Sequence, residues 1–251
     1  MADSRVMKLE NKTIVLTGGS SGVGLEILRQ IGARNKIINL SRSRPDATAL
    51  AGDVSFVHIE ADLADATSVA SAIELTRAKC PDGLDGLINC AALQYTPRLT
   101  DPAFDPAMIA QEIAINLTSP IELIAGLLPC LQQRPESFIL NVNSGVSIVP
   151  KRESAVYCAT KAGLDNFSRG LRAQLAGSRV AVLQAFLPLA DTKMTQGRGR
   201  GKLPPGEAAR LIIAGIESRT TDNDIGKVKL LRAINRLSPR LARRIMQRNE
   251  P

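Results

Sequence analysis

The stretch TGGSSGVG, residues 17–24, decides the fold. Before it, Thr13 to Leu16 is a short β-branched, apolar run; after it, Val23, Ile27, Leu28 and Ile31 recur at helical spacing. Together they read as strand, glycine turn, helix. Gly18 permits a tight turn, Gly22 lets the backbone approach a pyrophosphate, and Gly24 allows the helix to pack closely on the strand. Backbone amides and the positive end of the helix dipole then face the phosphates. A glycine-rich turn carries little weight alone, but this one opens the first unit of an alternating chain.

The alternation continues outward. Lys36 to Leu40 is a second strand, Ser55 to Ile59 a third, Gly86 to Asn89 a fourth, Ser137 to Val142 a fifth and Val180 to Phe186 a sixth. Helical segments separate them at about Ala66 to Lys79, Pro102 to Leu131 and, after the sixth strand, Glu207 to Ser218. Strands alternating with helices predict an α/β fold, a Rossmann-like doubly wound parallel sheet in a single domain. At 251 residues the chain is long enough to bury a sizeable core, and no linker divides it.

Composition narrows the function classes. The four cysteines, at 80, 90, 130 and 158, show no metal-like pairing, and no apolar signal segment precedes them. A reducing cytoplasm is therefore expected. No run approaches the roughly 18 apolar residues that cross a bilayer. The net charge of +8 is not spread evenly, because residues 227–251 hold eight Lys or Arg against one Glu, a local +7. With two Tyr, five Phe and no Trp to stack on bases, nucleic acid is not an expected partner.

The chemistry-bearing positions fall at strand ends. The second strand ends in Ser41-Arg42, where an acid would accept from a free ribose 2′-hydroxyl; Arg42 can instead pair bidentately with a 2′-phosphate. That favours NADP(H) over NAD(H), with Arg42 and Arg44 as plain loop solvation the alternative. Asp62, in Ala61-Asp62-Leu63, either holds an adenine amino group or caps the following helix. NCAA, residues 89–92, would let a flat ring lie on the backbone. Asn116 is an amide within a helix, which suits a hydrogen-bonding duty, a bend or a surface place alike. Ser144 puts a hydroxyl at the carboxyl edge of the sheet, where open α/β folds bind ligands. In YCATK, residues 157–161, Tyr157 and Lys161 share one helix face, and a lysine cation beside a phenol lowers its pKa. His58, within a strand, is expected to be structural.

In combination these motifs resemble the short-chain dehydrogenase/reductase family over roughly residues 10–195: TGGSSGVG, Asp62, NCAA, Asn116, Ser144, YCATK, and Pro188 followed by Thr192. Within the family the wording SGVSIVP before YCATKAGLDNFSRGLRAQL is similar to members named for D-alanine esterification of teichoic acids, a label that carries no substrate. The resemblance implies that Tyr157 is general acid or base, that Lys161 lowers its pKa and binds the nicotinamide ribose, that Ser144 holds the substrate oxygen, and that Asn116 positions a water relaying protons to Lys161. It implies cofactor contacts at Gly18, Ser20, Ser21, Gly22, Val23, Ser41, Arg42, Asp62, Leu63, Asn89, Ala91, Tyr157, Lys161, Pro188 and Thr192. The expected activity is NADP(H)-dependent reduction of a ketone or aldehyde to an alcohol, or the reverse, in a homodimer or homotetramer. A silent dinucleotide sensor, or a membrane-associated protein acting through its tail, are the alternatives.

Three positions depart from the family pattern. Cys90 and Ala92 replace Asn and Gly in its NNAG, and Leu189 replaces the Gly after the proline. The usual carboxyl-terminal strand is reduced at best to DIGKVK, residues 224–229. Residues 190–206, with QGRGRGKLPPG, are expected to form a mobile substrate lid in which Arg198, Arg200 and Lys202 either attract an anionic substrate or solvate a loop. The expected division is a catalytic domain over 1–226 and a basic amphipathic helical extension over 227–251. In the extension, Leu230, Leu231, Ile234, Leu237, Leu241 and Ile245 interleave with Lys229, Arg232, Arg236, Arg240, Arg243 and Arg244, with a bend at Pro239. It could lie on an anionic membrane, cover the active site, or pack on its own or a second subunit.

Overall fold

The computed structural model describes residues 6–46, 48, 50, 54 and 56–248. Residues 1–5, Ser55 at the head of the expected third strand, and residues 249–251 of the expected extension lie outside the described residues. The first strand, β1 (Thr13–Thr17), is followed by α1 (Gly22–Ile31), β2 (Lys36–Ser41), β3 (Phe56–Glu60), α2 (Ala66–Lys79) and β4 (Gly86–Asn89). Then come α3 (Ala107–Ile113), α4 (Ser119–Gln132), β5 (Ser137–Ser144), α5 (Ala155–Gln174), β6 (Val180–Leu187), α6 (Pro205–Glu217), β7 (Asp222–Asp224), α7 (Lys227–Leu237) and α8 (Pro239–Arg248).

All seven strands pair in parallel in the order β3-β2-β1-β4-β5-β6-β7. Because successive strand residues point to opposite faces, Ile14 and Leu16 join one buried cluster with Ile27, Leu28, Ile212 and Ile216 of α1 and α6. Val15 joins the other with Leu123 and Leu127 of α4 and Leu171 of α5. A sheet covered on both faces explains why its central strands are apolar throughout rather than alternating. The chain winds from β1 to β3 in one direction and returns to place β4 on the other side of β1. That reversal opens a crevice at the carboxyl ends of β1 and β4.

Two expectations change here. The long helical region starts at Ala107 rather than near Pro102, and a π-type turn over Ala114–Thr118 divides it, with the Ser119 N–H donating to the Ala114 carbonyl. Together, Ala107–Gln132 form one span long and apolar enough by composition to cross a membrane, where none was expected. Yet Leu123, Ile124, Leu127 and Leu131 of that span are buried in the core, which is how a buried helix of a packed sheet reads. The carboxyl-terminal strand is indeed short: β7 is Asp222–Asp224, and α7 begins at Lys227 inside the expected DIGKVK stretch.

Candidate active site

The glycine turn is held by direct crowding. Gly18 has φ +75°, and a Cβ there would stand 2.9 Å from the Ala91 Cα; one on Gly24 would stand 2.2 Å from the Gly18 carbonyl oxygen. Gly24 therefore packs on the turn itself. Thr17 Oγ1 accepts from the N–H groups of Cys90 and Ala91, both at 3.0 Å, which ties the turn to the loop after β4. The first turn of α1 contains no acidic residue, and its N-cap, Ser21, makes no side-chain cap bond. An anion can approach Ser20, Ser21, Gly22 and Val23 without meeting a like charge.

Further along, Asn39 Oδ1 accepts from the Gly19 N–H at 2.9 Å while its Nδ2 donates to Ser41 Oγ at 2.7 Å and lies 3.2 Å from His58 Nδ1. Ser41 is thereby committed to a buried network and His58 to a structural contact. Of the two arginines that follow, Arg44 lies over the Phe56 ring, 5.3 Å from its centroid, and Arg42 is exposed at the strand end. Asp65, not Asp62, caps α2 by accepting from Thr67 N–H, while Asp62 accepts from Ala64 N–H at 2.9 Å. Leu63 is buried beside it. Asn89 Nδ2 donates to Asn141 Oδ1 at 2.8 Å, and Asn89 Oδ1 is buried with no partner among the described residues. Glycine cradle, acid-free helix terminus and an orphaned acceptor at the sheet edge fit a bound dinucleotide.

On α5, Tyr157 and Lys161 stand one turn apart. Lys161 is 3% exposed, its Nζ donates to the Val142 carbonyl at 2.9 Å and lies 5.9 Å from the Tyr157 ring centroid. Burial pulls the Lys161 ammonium down to about 8, partly offset by Cys90. The direction expected for Tyr157 is reversed: burial raises the phenol, with Cys158, Glu112 and Cys90 adding to it and Arg198 opposing. Desolvation of the phenolate outweighs any neighbouring cation here. Burial likewise pushes the Cys90 thiol up to about 12. Ser144 ends β5, its N–H donating to Asn143 Oδ1 at 3.1 Å and its Oγ accepting from Val146 N–H.

The Asn116 side chain is engaged with protein groups. Its Oδ1 accepts from Leu93 N–H at 2.8 Å, its Nδ2 donates to the Leu93 carbonyl at 2.7 Å, and Thr160 Oγ1 lies 3.4 Å away. The side chain is a clamp joining the π-type turn, the loop after β4 and α5. Pro120, four residues on, has no N–H to offer the Asn116 carbonyl, and the Ile115 carbonyl takes Ser119 Oγ at 3.2 Å.

The short chain dehydrogenase family model matches residues 12–202. The chain belongs to the short-chain dehydrogenases. Over 192 residues it is 32% identical to an uncharacterized oxidoreductase, DltE, of Bacillus subtilis strain 168, covering 76% of each chain. Over 207 residues it is 29% identical to an NADP-dependent 3-hydroxy acid dehydrogenase of Schizosaccharomyces pombe, covering 77% of each. A solved short chain dehydrogenase from Burkholderia cenocepacia J2315 in complex with NADP superposes with a TM-score of 0.83 at 23% identity, over 96% of this chain and 99% of that one. That likeness establishes the seven-stranded fold.

In this short-chain dehydrogenase the segment after β6 is tied down rather than loose. Leu203 N–H donates to the Leu189 carbonyl and Asp191 N–H to the Leu203 carbonyl, both at 2.9 Å, and Lys202 Nζ reaches Asp191 Oδ1 and the Thr195 carbonyl. Pro188 lies against Gly226, and Thr192, which caps the turn Lys193–Thr195, touches Gly22 of the glycine turn. The Leu189 departure has a partner: a Cβ on Gly199 would stand 2.5 Å from Leu189 Cδ2. The leucine seats the segment where a glycine would have left a gap.

Several working residues were given no role from the sequence. Thr17, although it opens the glycine motif, ties the turn to the loop after β4, Asn39 accepts from the turn itself, and Glu112, buried, accepts from Tyr95 N–H at 2.6 Å. Only Pro120 had a readable sign, its spacing of four from Asn116.

Proposed function

We propose that this short-chain dehydrogenase interconverts a ketone or aldehyde and an alcohol with NADP(H), and that Tyr157 moves the proton. The observation that carries this is the grouping of Tyr157, Lys161 and the Asn116 clamp at the carboxyl edge of the sheet, beside Ser144 and the glycine turn. Turn residues Gly18, Ser20, Ser21, Gly22 and Val23 would hold the pyrophosphate. Ser41, Arg42, Asp62 and Leu63 would hold the adenosine end, and Asn89, Ala91, Pro188 and Thr192 the nicotinamide end. When bound, the cofactor supplies or accepts the hydride.

The protein's own part is geometry and protons. A carbonyl receiving hydride develops alkoxide charge, and hydroxyls of Ser144 and Tyr157 aimed at that oxygen stabilise it more in the transition state than in the ground state. Raised further by burial, the Tyr157 phenol carries its proton at neutral pH, as the donor in the reductive direction must. Lys161, down at about 8, remains mostly cationic at pH 7, able to hold the ribose hydroxyls and to return a proton to the spent phenolate. Pro120, which offers no helical N–H to the Asn116 carbonyl, supports the expected water beside it. Arg42, with no acid at the strand end, supports NADP(H). Assembly as a homodimer or homotetramer and a cytoplasmic place belong to the same reading.

Tyr157→Phe tests it. With an NADPH-coupled panel of ketones, aldehydes and 3-oxoacyl thioesters, turnover should fall about a thousandfold while NADPH affinity stays within a few-fold. Retained turnover would refute Tyr157 as the proton donor.

A further inference from the structure

The segment QGRGRG, residues 196–201, sets two arginines between three glycines, and the structure gives each glycine a left-handed backbone: φ is +74° at Gly197, +61° at Gly199 and +62° at Gly201. Such a backbone suits glycine and is strained for other residues, so the loop follows a defined path. Gly199 rests on Leu189, and Lys202 pins the far end through Asp191 and Thr195. What this path delivers is the Arg198 guanidinium. It sits half-buried, donates from Nη2 to the Met194 carbonyl, and leaves Nη1 buried with no hydrogen-bond partner among the described residues. Arg200, by contrast, is exposed.

A buried guanidinium N–H without an acceptor is costly and calls for a partner. The partner's place is set by the neighbour: Arg198 lies close enough to Tyr157 for each to alter the other's proton affinity, the arginine favouring phenolate and the phenol favouring guanidinium. An anion held by Arg198 would therefore lie in the neighbourhood of an oxygen held by Tyr157. The remote phosphates of a large thioester carrier do not meet that requirement, and a carboxylate on the same small molecule does.

We propose that Arg198 anchors a substrate carboxylate, making this short-chain dehydrogenase selective for small oxo acids and their hydroxy acid counterparts. The proposal rests on the reading of Tyr157 as the reacting group. A planar carboxylate matches the free edge of the guanidinium, and the segment seated on Leu189 would shield the pair from water and strengthen it.

The test separates binding from turnover. In the Tyr157→Phe protein with NADPH present, dissociation constants are measured for pyruvate, acetoacetate and levulinate, each against its methyl ester. At least one acid should bind about tenfold or more tighter than its ester, and in a second variant that also carries Arg198→Gln that acid-to-ester ratio should fall to near one, with Arg198→Lys in between. A ratio near one for all three pairs, or a preference that survives Arg198→Gln, overturns the proposal; equal loss for acid and ester, the mark of a merely structural arginine, does so too. Should the acid preference depend on Arg198 while the Tyr157-bearing enzyme reduces neither these three acids nor any carbonyl of the panel, anchoring stands and the reductase reading fails.

Discussion

At the scale of single residues, Lys161 exchanges stability for function. The ammonium is buried and its pKa falls from 10.5 to about 8, a penalty of about 3 kcal/mol at neutral pH by the usual conversion. The unfolded lysine keeps its proton to above pH 10, whereas the folded one releases it near 8. Between those values the unfolded chain holds more protons, and the stability of the native protein climbs with pH. Lys161→Met removes the penalty but strands the Val142 carbonyl, at about 1 kcal/mol. It should be inactive yet more stable at pH 7 by about 2 kcal/mol in urea denaturation, with the gain shrinking by pH 9.5. A gain that grows with pH would contradict the buried-cation account. Arg42 offers the opposite case, an exposed residue whose proposed role is ligand choice. Arg42→Asp should shift the NADPH to NADH ratio of kcat/KM at least about tenfold toward NADH, with little change in stability. An unmoved ratio would show that Arg42 does not meet the 2′-phosphate.

At the scale of elements, what was legible in the sequence is what local chemistry dictates. The strand, glycine turn and helix from Thr13 to Ile31 follow from periodicity and from glycine's backbone freedom, and the structure adds only that Gly24 packs on Gly18 rather than merely on β1. The fifth strand, expected to end at Val142, runs two residues further to Ser144, and Tyr157 and Lys161 stand on one helix as their spacing of four implies. Three features were not legible because each is set by residues distant in the chain. The Asn116 clamp closes on Leu93, 23 positions away. The direction of the Tyr157 pKa depends on how deeply tertiary packing buries it, and spacing along a helix says nothing of burial. The segment over 190–206 reads as mobile from its glycines, but Leu189, Asp191 and Lys202 fasten it. Glycines that loosen an unfolded chain can specify a single path in a folded one.

At the scale of the whole molecule, the basic end of the chain is where the sequence leaves several placements open. A stretch carrying +7 of a net +8 could lie on a membrane, cover the active site, or pack on its own or a second subunit. Yet Val228 is buried, and Val228 and Leu231 of α7 lie 3.4 Å from where a Gly145 Cβ would stand, directly behind Ser144. Arg232 pairs with Asp224 and stacks 4.5 Å over the Phe186 ring. Ala242 buries α8 against this layer. Their outward sides still show Leu230, Leu237 and Leu241 among arginines and lysines, the part available to another surface. If α7 and α8 buttress the turn that holds Ser144, ending the chain at Gly226 uncovers at least two apolar side chains worth roughly 1.5–3 kcal/mol each. The melting temperature should then fall by more than about 5 °C. Turnover with the best substrate of the panel should drop about tenfold or more. A truncated protein that melts and turns over normally, but no longer sediments with liposomes rich in anionic lipid, would make the stretch a membrane contact instead. Gly145→Ala and Gly145→Leu give an independent reading: the alanine methyl would meet Leu231 and Val228 at ordinary contact distance and should leave turnover nearly unchanged, whereas the leucine overfills that contact and should lower turnover measurably in the full chain while adding little further loss in the shortened one.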